Sequence, residues 1–180
     1  MRCFVAIEVP EDVKKEISKA SEKLKKSGFV NGSFVDKKNL HLTLKFLADL
    51  SEEQVELVKK EMSEIKFKKF ECSTGKTGTF PNGEYVKVIW LELVADEIMH
   101  LKGLIDNKLA GIVKGEEKEF NSHITFVRVK EAKDKPKFLD LLKEIGVKKM
   151  KFPVEKFSLI KSELTRDGPI YRTLAEFKLS

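Results

Sequence analysis

The sequence predicts an α+β protein built from two similar lobes, and three observations lead there. Segments with strand-like alternation and segments with helical spacing follow one another as strand, helix, strand, helix, strand, and then in the same order again. Two of the strand segments carry the same pattern, His41-Leu42-Thr43-Leu44 and His123-Ile124-Thr125-Phe126, set 82 positions apart (123 − 41). The strands centred on Val5 and Val88 are 83 apart (88 − 5), so the repeat extends beyond the motif. A period this long, present twice, means two lobes and not a solenoid. The expected architecture is bilobal, with two pseudo-symmetric, antiparallel-rich sheets and outer helices around a central cleft. All 180 residues form one domain, with repeat halves of approximately 1–80 and 81–180.

The elements follow in order. Arg2 to Val9 reads as a buried strand. Pro10-Glu11-Asp12 starts a helix with Asp12 as its cap, and Val13, Ile17, Ala20 and Leu24 recur at helical spacing up to Gly28. Phe34 to Lys38 is a short extended or loop piece, and Leu40 to Leu47 is a strand. Ser51 and Gln54 form a capping box for a helix carrying Val55, Val58 and Met62. A strand near Phe67 to Thr74 precedes Gly75 to Gly83, whose Gly, Thr, Pro and Asn content predicts a loop and the boundary between halves. Glu84 to Val94 is the next strand, with Val86, Val88, Trp90 and Glu92 on one face. Asp96 caps a helix bearing Ile98, Leu101, Leu104, Ile105 and Leu109, and Ser122 to Val129 is a strand. Asp134-Lys135-Pro136 opens the last helix. Lys151 to Lys161 and Tyr171 to Leu179 are terminal strands joined through Gly168-Pro169.

Composition narrows the classes. Hydrophobic residues make up 41% and charged residues 36%, a globular composition with a charged surface. No run approaches the roughly 18 apolar residues of a membrane span, and the apolar N-terminus breaks at Glu8 and Pro10, which reads as a strand and not as a signal peptide. Two cysteines, Cys3 and Cys72, read as reduced thiols of a cytoplasmic protein, and neither has a Cys or His neighbour at metal-ligand spacing. A net charge of +6 fits a polyanionic partner such as RNA, although most lysines sit among glutamates on helices, as solvated faces do.

The repeated motif carries the chemistry. Residues two apart in a strand share a face, so His41 and Thr43 point one way while Leu42 and Leu44 point into a core. The same parity holds for His123 and Thr125. If the lobes face each other, two imidazoles and two hydroxyls converge. One neutral imidazole can take a proton from water while a protonated one gives a proton to a leaving alcohol. The hydroxyls can donate to non-bridging phosphate oxygens. This set suits a phosphodiester and requires neither metal nor cofactor. A single His-x-Thr strand is common and mostly structural; two at equivalent places, in a chain with 3 histidines, are not readily dismissed. The third, His100, has no partner motif and reads as surface or packing.

Several segments together resemble the two-histidine (2H) phosphoesterases, specifically the RNA 2',3'-cyclic phosphodiesterases also called 2'-5' RNA ligases (LigT-like). They are Arg2-Cys3-Phe4-Val5-Ala6-Ile7, His41-Leu42-Thr43-Leu44-Lys45-Phe46-Leu47, His123-Ile124-Thr125-Phe126-Val127-Arg128, and the closing Phe157-Ser158-Leu159…Ser162…Gly168-Pro169-Ile170-Tyr171. The resemblance implies opening of a terminal 2',3'-cyclic phosphate on RNA to a 2'-phosphomonoester without metal; it leaves open whether the natural substrate is a tRNA fragment, another oligonucleotide or a small metabolite. It implies His41 as proton donor, His123 as proton acceptor, and Thr43, Thr125 and Arg128 as phosphate contacts. Strand parity disagrees on the cation. Arg128 falls five residues after His123, which turns it from the cleft unless the strand bulges, whereas Lys45, four after His41, has the right parity. Phe4 and Tyr171 are candidates for stacking on a base, with core packing the ordinary alternative for Phe4; Phe80 and Tyr85 have less support.

Two other functions compete. The same site could join RNA ends through a 2'-5' linkage by the reverse reaction, although no P-loop or nucleotide-activating lysine motif is present. A non-catalytic module that binds RNA ends would need the same basic cleft. No membrane association and no obligate protein partner is expected.

Overall fold

Residues 3 to 7 are consecutively apolar, so the strand they form must bury both faces. The computed structural model of the chain describes residues 1–81, 85–113, 119–166 and 168–180. Its first strand, β1 (Arg2–Glu8), sends Cys3, Val5 and Ile7 into the main core and Phe4 and Ala6 into a small second cluster with Ile160 and Tyr171. Helix α1 (Glu11–Ser27) turns Val13, Ile17, Ala20 and Leu24 inward and ends at Gly28, whose φ of 71° favours glycine. Asp12 is not its cap: the helix begins after Pro10, and the Asp12 carboxylate accepts from the Val13 N–H at 2.9 Å within the first turn.

Strand β2 (Val30–Phe34) went unread in the sequence because Asn31, Gly32 and Ser33 show no apolar alternation. A single 3-10 turn (Lys37–Asn39) leads into β3 (His41–Asp49). Helix α2 (Glu52–Ser63) starts with the expected capping box, the Gln54 N–H donating to Ser51 Oγ at 3.2 Å and the Ser51 N–H to Gln54 Oε1 at 3.0 Å. The remaining elements are β4 (Phe70–Phe80), β5 (Val88–Val94), α3 (Asp96–Leu109), β6 (His123–Ala132), α4 (Lys135–Glu144), β7 (Lys151–Val154), β8 (Lys156–Thr165) and β9 (Gly168–Lys178). Asp134 caps α4 through Lys137 N–H, as its position predicts, whereas Asp96 lies inside α3 after Ala95 and makes no cap bond.

Residues 75–80 are not a loop but the second half of β4, which bulges between Thr74 and Thr77 and then pairs with β5 as far as Phe80–Val88. Glycine at 78 serves close approach and not a turn: a Cβ there would lie 2.3 Å from Cζ2 of Trp90 on β5. Residues 82–84, where the predicted loop ends and the next strand was to start, lie outside the described residues.

The fold is α+β with two antiparallel sheets, ordered β3-β1-β8-β9 and β2-β6-β5-β4-β7. The run β3-β1-β8 of the first sheet matches β6-β5-β4 of the second. In both, the His-x-Thr strand pairs with the first strand of its own sequence half, and that strand pairs with one contributed by the other half. The two sheets therefore exchange strands, because β4 and β8 cross over. Strands β3 and β6 approach each other where the sheets meet.

Candidate active site

Each histidine strand has a bulge just after its threonine. On β3, Lys45 faces Val5 and Thr43 faces Ala6, so Leu44 is the extra residue. On β6, Val127 faces Ile89 and Thr125 faces Trp90, so Phe126 is the extra residue. The bulges bury two consecutive residues, Leu44-Lys45 and Phe126-Val127, and return the next one to the histidine face. That next residue is Arg128 on β6 and Phe46 on β3. Simple parity therefore fails at this point, for a local reason the alternation could not reveal.

Lys45 goes elsewhere. It is 4% exposed, and its ammonium donates to Asp106 of α3 at 2.7 Å. Arg128 is exposed, and it lies close enough to both imidazoles that its charge helps hold each below the ordinary histidine range. Of the two cations weighed from sequence, Arg128 is the one at the histidines.

The imidazoles are held alike. His41 Nδ1 lies 2.6 Å from the Asn39 carbonyl and His123 Nδ1 lies 2.7 Å from the Asn121 carbonyl. A carbonyl only accepts, so each Nδ1 carries the proton, and in the neutral ring Nε2 keeps its lone pair. His41 Nε2 in turn lies 3.0 Å from Thr43 Oγ1. Asn39 is itself buried, and its side-chain amide donates to the Pro169 carbonyl at 3.1 Å, which ties the start of β3 to the β8–β9 hairpin. The asparagines went unread although the signal was there: both motifs are Asn-x-His-x-Thr.

Aromatic rings frame each histidine. Phe4 stacks on His41 at 4.8 Å between centroids, and Tyr171 meets His41 edge-on at 5.3 Å. Phe80 meets His123 edge-on at 5.1 Å, and Trp90 lies 6.1 Å away. Trp90 was read only as a residue on a strand face. With 4% exposure Phe4 has no face left for a base, so packing under His41 is its role and the stacking expectation fails there. Tyr171 remains accessible and lines a cavity of about 190 Å³ beside His41, together with Asn39, Ile160, Ile170 and Thr173. Tyr85 is exposed under the Lys135 ammonium, 4.6 Å from its ring centre. His100 is exposed on α3, apart from the motifs.

Burial sets the electrostatics. It pushes His41 from 6.5 down to about 4, with the Asn39 bond opposing and Lys14 and Arg128 adding to the fall. His123 is lowered for the same first reason, with Arg128 contributing. Tyr171 is raised by burial, against the pull of Arg128. Among the described residues, no three His, Cys, Asp or Glu side chains cluster as metal ligands would.

An α+β scaffold presenting two Asn-x-His-x-Thr strands, with an arginine beside both imidazoles, defines a phosphoesterase of the two-histidine class. The LigT like Phosphoesterase family matches the chain twice, over residues 7–90 and 92–171, once on each repeat half. An RNA 2',3'-cyclic phosphodiesterase of Methanocaldococcus jannaschii is 36% identical over 179 residues, covering 98% of this chain and 100% of that protein. One of Archaeoglobus fulgidus is 31% identical over 180 residues, covering 99% and 100%. The crystal structure of TT0787 of Thermus thermophilus superposes with a TM-score of 0.84 at 26% identity, covering 99% of this chain and 98% of that one. E. coli LigT complexed with 3'-AMP shares the fold, with a TM-score of 0.79 at 22% identity over 99% and 98% of the two chains. The chain belongs to the LigT-like phosphoesterase family.

Proposed function

We propose that this protein is an RNA 2',3'-cyclic phosphodiesterase in which His41 and His123 are the proton donor and acceptor. The observation that carries the reading is the matched pinning of both imidazoles by a carbonyl two residues upstream, which commits each Nε2 to the reaction. His123 takes a proton from water as the water oxygen bonds to phosphorus. The bond from phosphorus to O3' breaks, and His41 gives O3' its proton, leaving a 2'-phosphomonoester. Thr43, Thr125 and Arg128 hold the non-bridging oxygens as charge gathers there.

In the unliganded protein both histidines favour the neutral form, so His41 needs a counter-charge to act as an acid. The anionic cyclic phosphate supplies it, because a neighbouring negative charge raises an imidazole pKa. The terminal base lies against Tyr171. RNA ending in a cyclic phosphate is the substrate class, which includes tRNA halves, and the relatives named as RNA 2',3'-cyclic phosphodiesterases support it. Joining of ends through a 2'-5' linkage would use the same groups in reverse, and water at high concentration favours hydrolysis. The buried free thiols Cys3 and Cys72 fit a cytoplasmic protein. No helix among the described residues is long and apolar enough to cross a membrane.

The test is product analysis on a short RNA with a 2',3'-cyclic phosphate, in EDTA, for wild type, His41→Ala and His123→Ala. A 2'-phosphate from wild type alone is expected. Binding without turnover by wild type would replace the proposal with an end-binding module, and substantial turnover by both variants would remove the histidines from the chemistry.

A further inference from the structure

Lys45 is an anomaly: a cation buried on the strand that carries His41 and Thr43, with its charge turned away from the cleft. It ends on the carboxylate of Asp106, whose other oxygen accepts from Lys102 at 2.7 Å, also on α3. Burial alone would raise the Asp106 pKa, but the bonds from Lys102 and Lys45 hold the carboxyl below its ordinary value. Lys102 is itself nearly buried, and its ammonium lies 5.2 Å from the centre of the Phe120 ring. Phe120 immediately precedes Asn121, whose carbonyl holds His123 Nδ1. A continuous chain of contacts thus runs from four residues past one histidine to three residues before the other. It also crosses between sheets, because α3 links β5 to β6 of one sheet while Lys45 belongs to β3 of the other.

From this we infer that Lys45, Asp106 and Lys102 form a strut that sets the distance and angle between the two imidazoles, making them positioning residues for the reaction. The physical reason is specificity of geometry. Burying two ammonium groups against one carboxylate, whose own side chain stays 37% exposed, gives little net stability, since desolvation of the lysines offsets the attraction. What such a group does give is a unique arrangement, because any slip leaves a buried ammonium unpaired. Apolar side chains could fill the same volume without fixing the relative placement of β3 and β6. Two histidines that must act on one phosphorus from opposite sides are sensitive to displacements of this kind.

The inference rests on the proposed cyclic phosphodiesterase activity, and the experiment separates the two. Lys45→Met/Asp106→Leu/Lys102→Met replaces the strut with apolar groups, and Lys102→Met alone leaves the Lys45–Asp106 pair intact in case the triple variant does not fold. Hydrolysis of a cyclic-phosphate RNA dinucleotide is measured beside thermal stability. The triple variant should melt within a few degrees of wild type yet lose at least tenfold in kcat with KM changed less than threefold. Lys102→Met should show the same split, and Lys102→Arg, which keeps charge and ring contact, should stay within threefold of wild type. Wild-type kcat in a folded triple variant, or in Lys102→Met, overturns the inference. If wild type hydrolyses no cyclic phosphate, the activity proposal fails instead. The strut is then read from the His41 and His123 imidazole resonances by NMR, which should broaden or double in Lys102→Met; unchanged resonances overturn it.

Discussion

Lowering the pH from 7 to 5 asks the buried His41 ring to accept a proton in a place that favours the neutral form. In the unfolded chain the same imidazole titrates near 6.5, and in the fold near 4. A group with a depressed folded pKa binds protons more readily when unfolded. Stability is therefore complete above the unfolded value and is lost as pH falls from 6.5 towards 4. Integrated between pH 7 and 5, the gap costs about 2 kcal/mol from this one residue. That is a large share of the ~5–15 kcal/mol that holds a domain together. The assay is urea unfolding of wild type and His41→Gln at both pH values. The variant loses the ring contact with Phe4 and is less stable throughout, but it should lose about 2 kcal/mol less than wild type on acidification, because every other titrating group is common to both. Equal losses would show that His41 does not carry a depressed pKa, and the electrostatic description of the site would be wrong.

Three further outcomes follow from the same geometry. The bell of kcat/KM against pH peaks midway between the free-enzyme pKa values whichever histidine is the acid, so with both lowered the optimum should lie below 6.5; an optimum above 7 would refute the downward shifts. Arg128→Ala should move that bell towards alkaline pH while lowering kcat/KM about 10- to 100-fold, since one cation depresses both rings and contacts phosphate; a shift towards acid contradicts its placement. Gly78→Ala should cost roughly 1–3 kcal/mol and change the emission of the single tryptophan, because the new methyl meets the Trp90 ring; unchanged fluorescence and stability would deny the close approach.

The sequence alone determined what is local and periodic. Helical spacing placed the inward stripe of α1, Ser51 and Gln54 marked a helix start, and the duplicated His-x-Thr strands located both imidazoles and their hydroxyl neighbours. These features are written in residue order, because side chains two or four positions apart meet through backbone geometry. Tertiary structure decided what depends on partners distant in sequence. Pairing with β6 made a strand of Val30–Phe34, and pairing with β5 made one of residues 75–80, although neither segment has a strand-like pattern. The exchange of β4 and β8 separated the sheets from the sequence halves. A bulge absorbed at Phe126 turned Arg128 to the histidines, and its twin at Leu44 sent Lys45 inward to Asp106. Strand parity assumes an unbroken ladder, and only the facing strand fixes where that ladder takes up an extra residue.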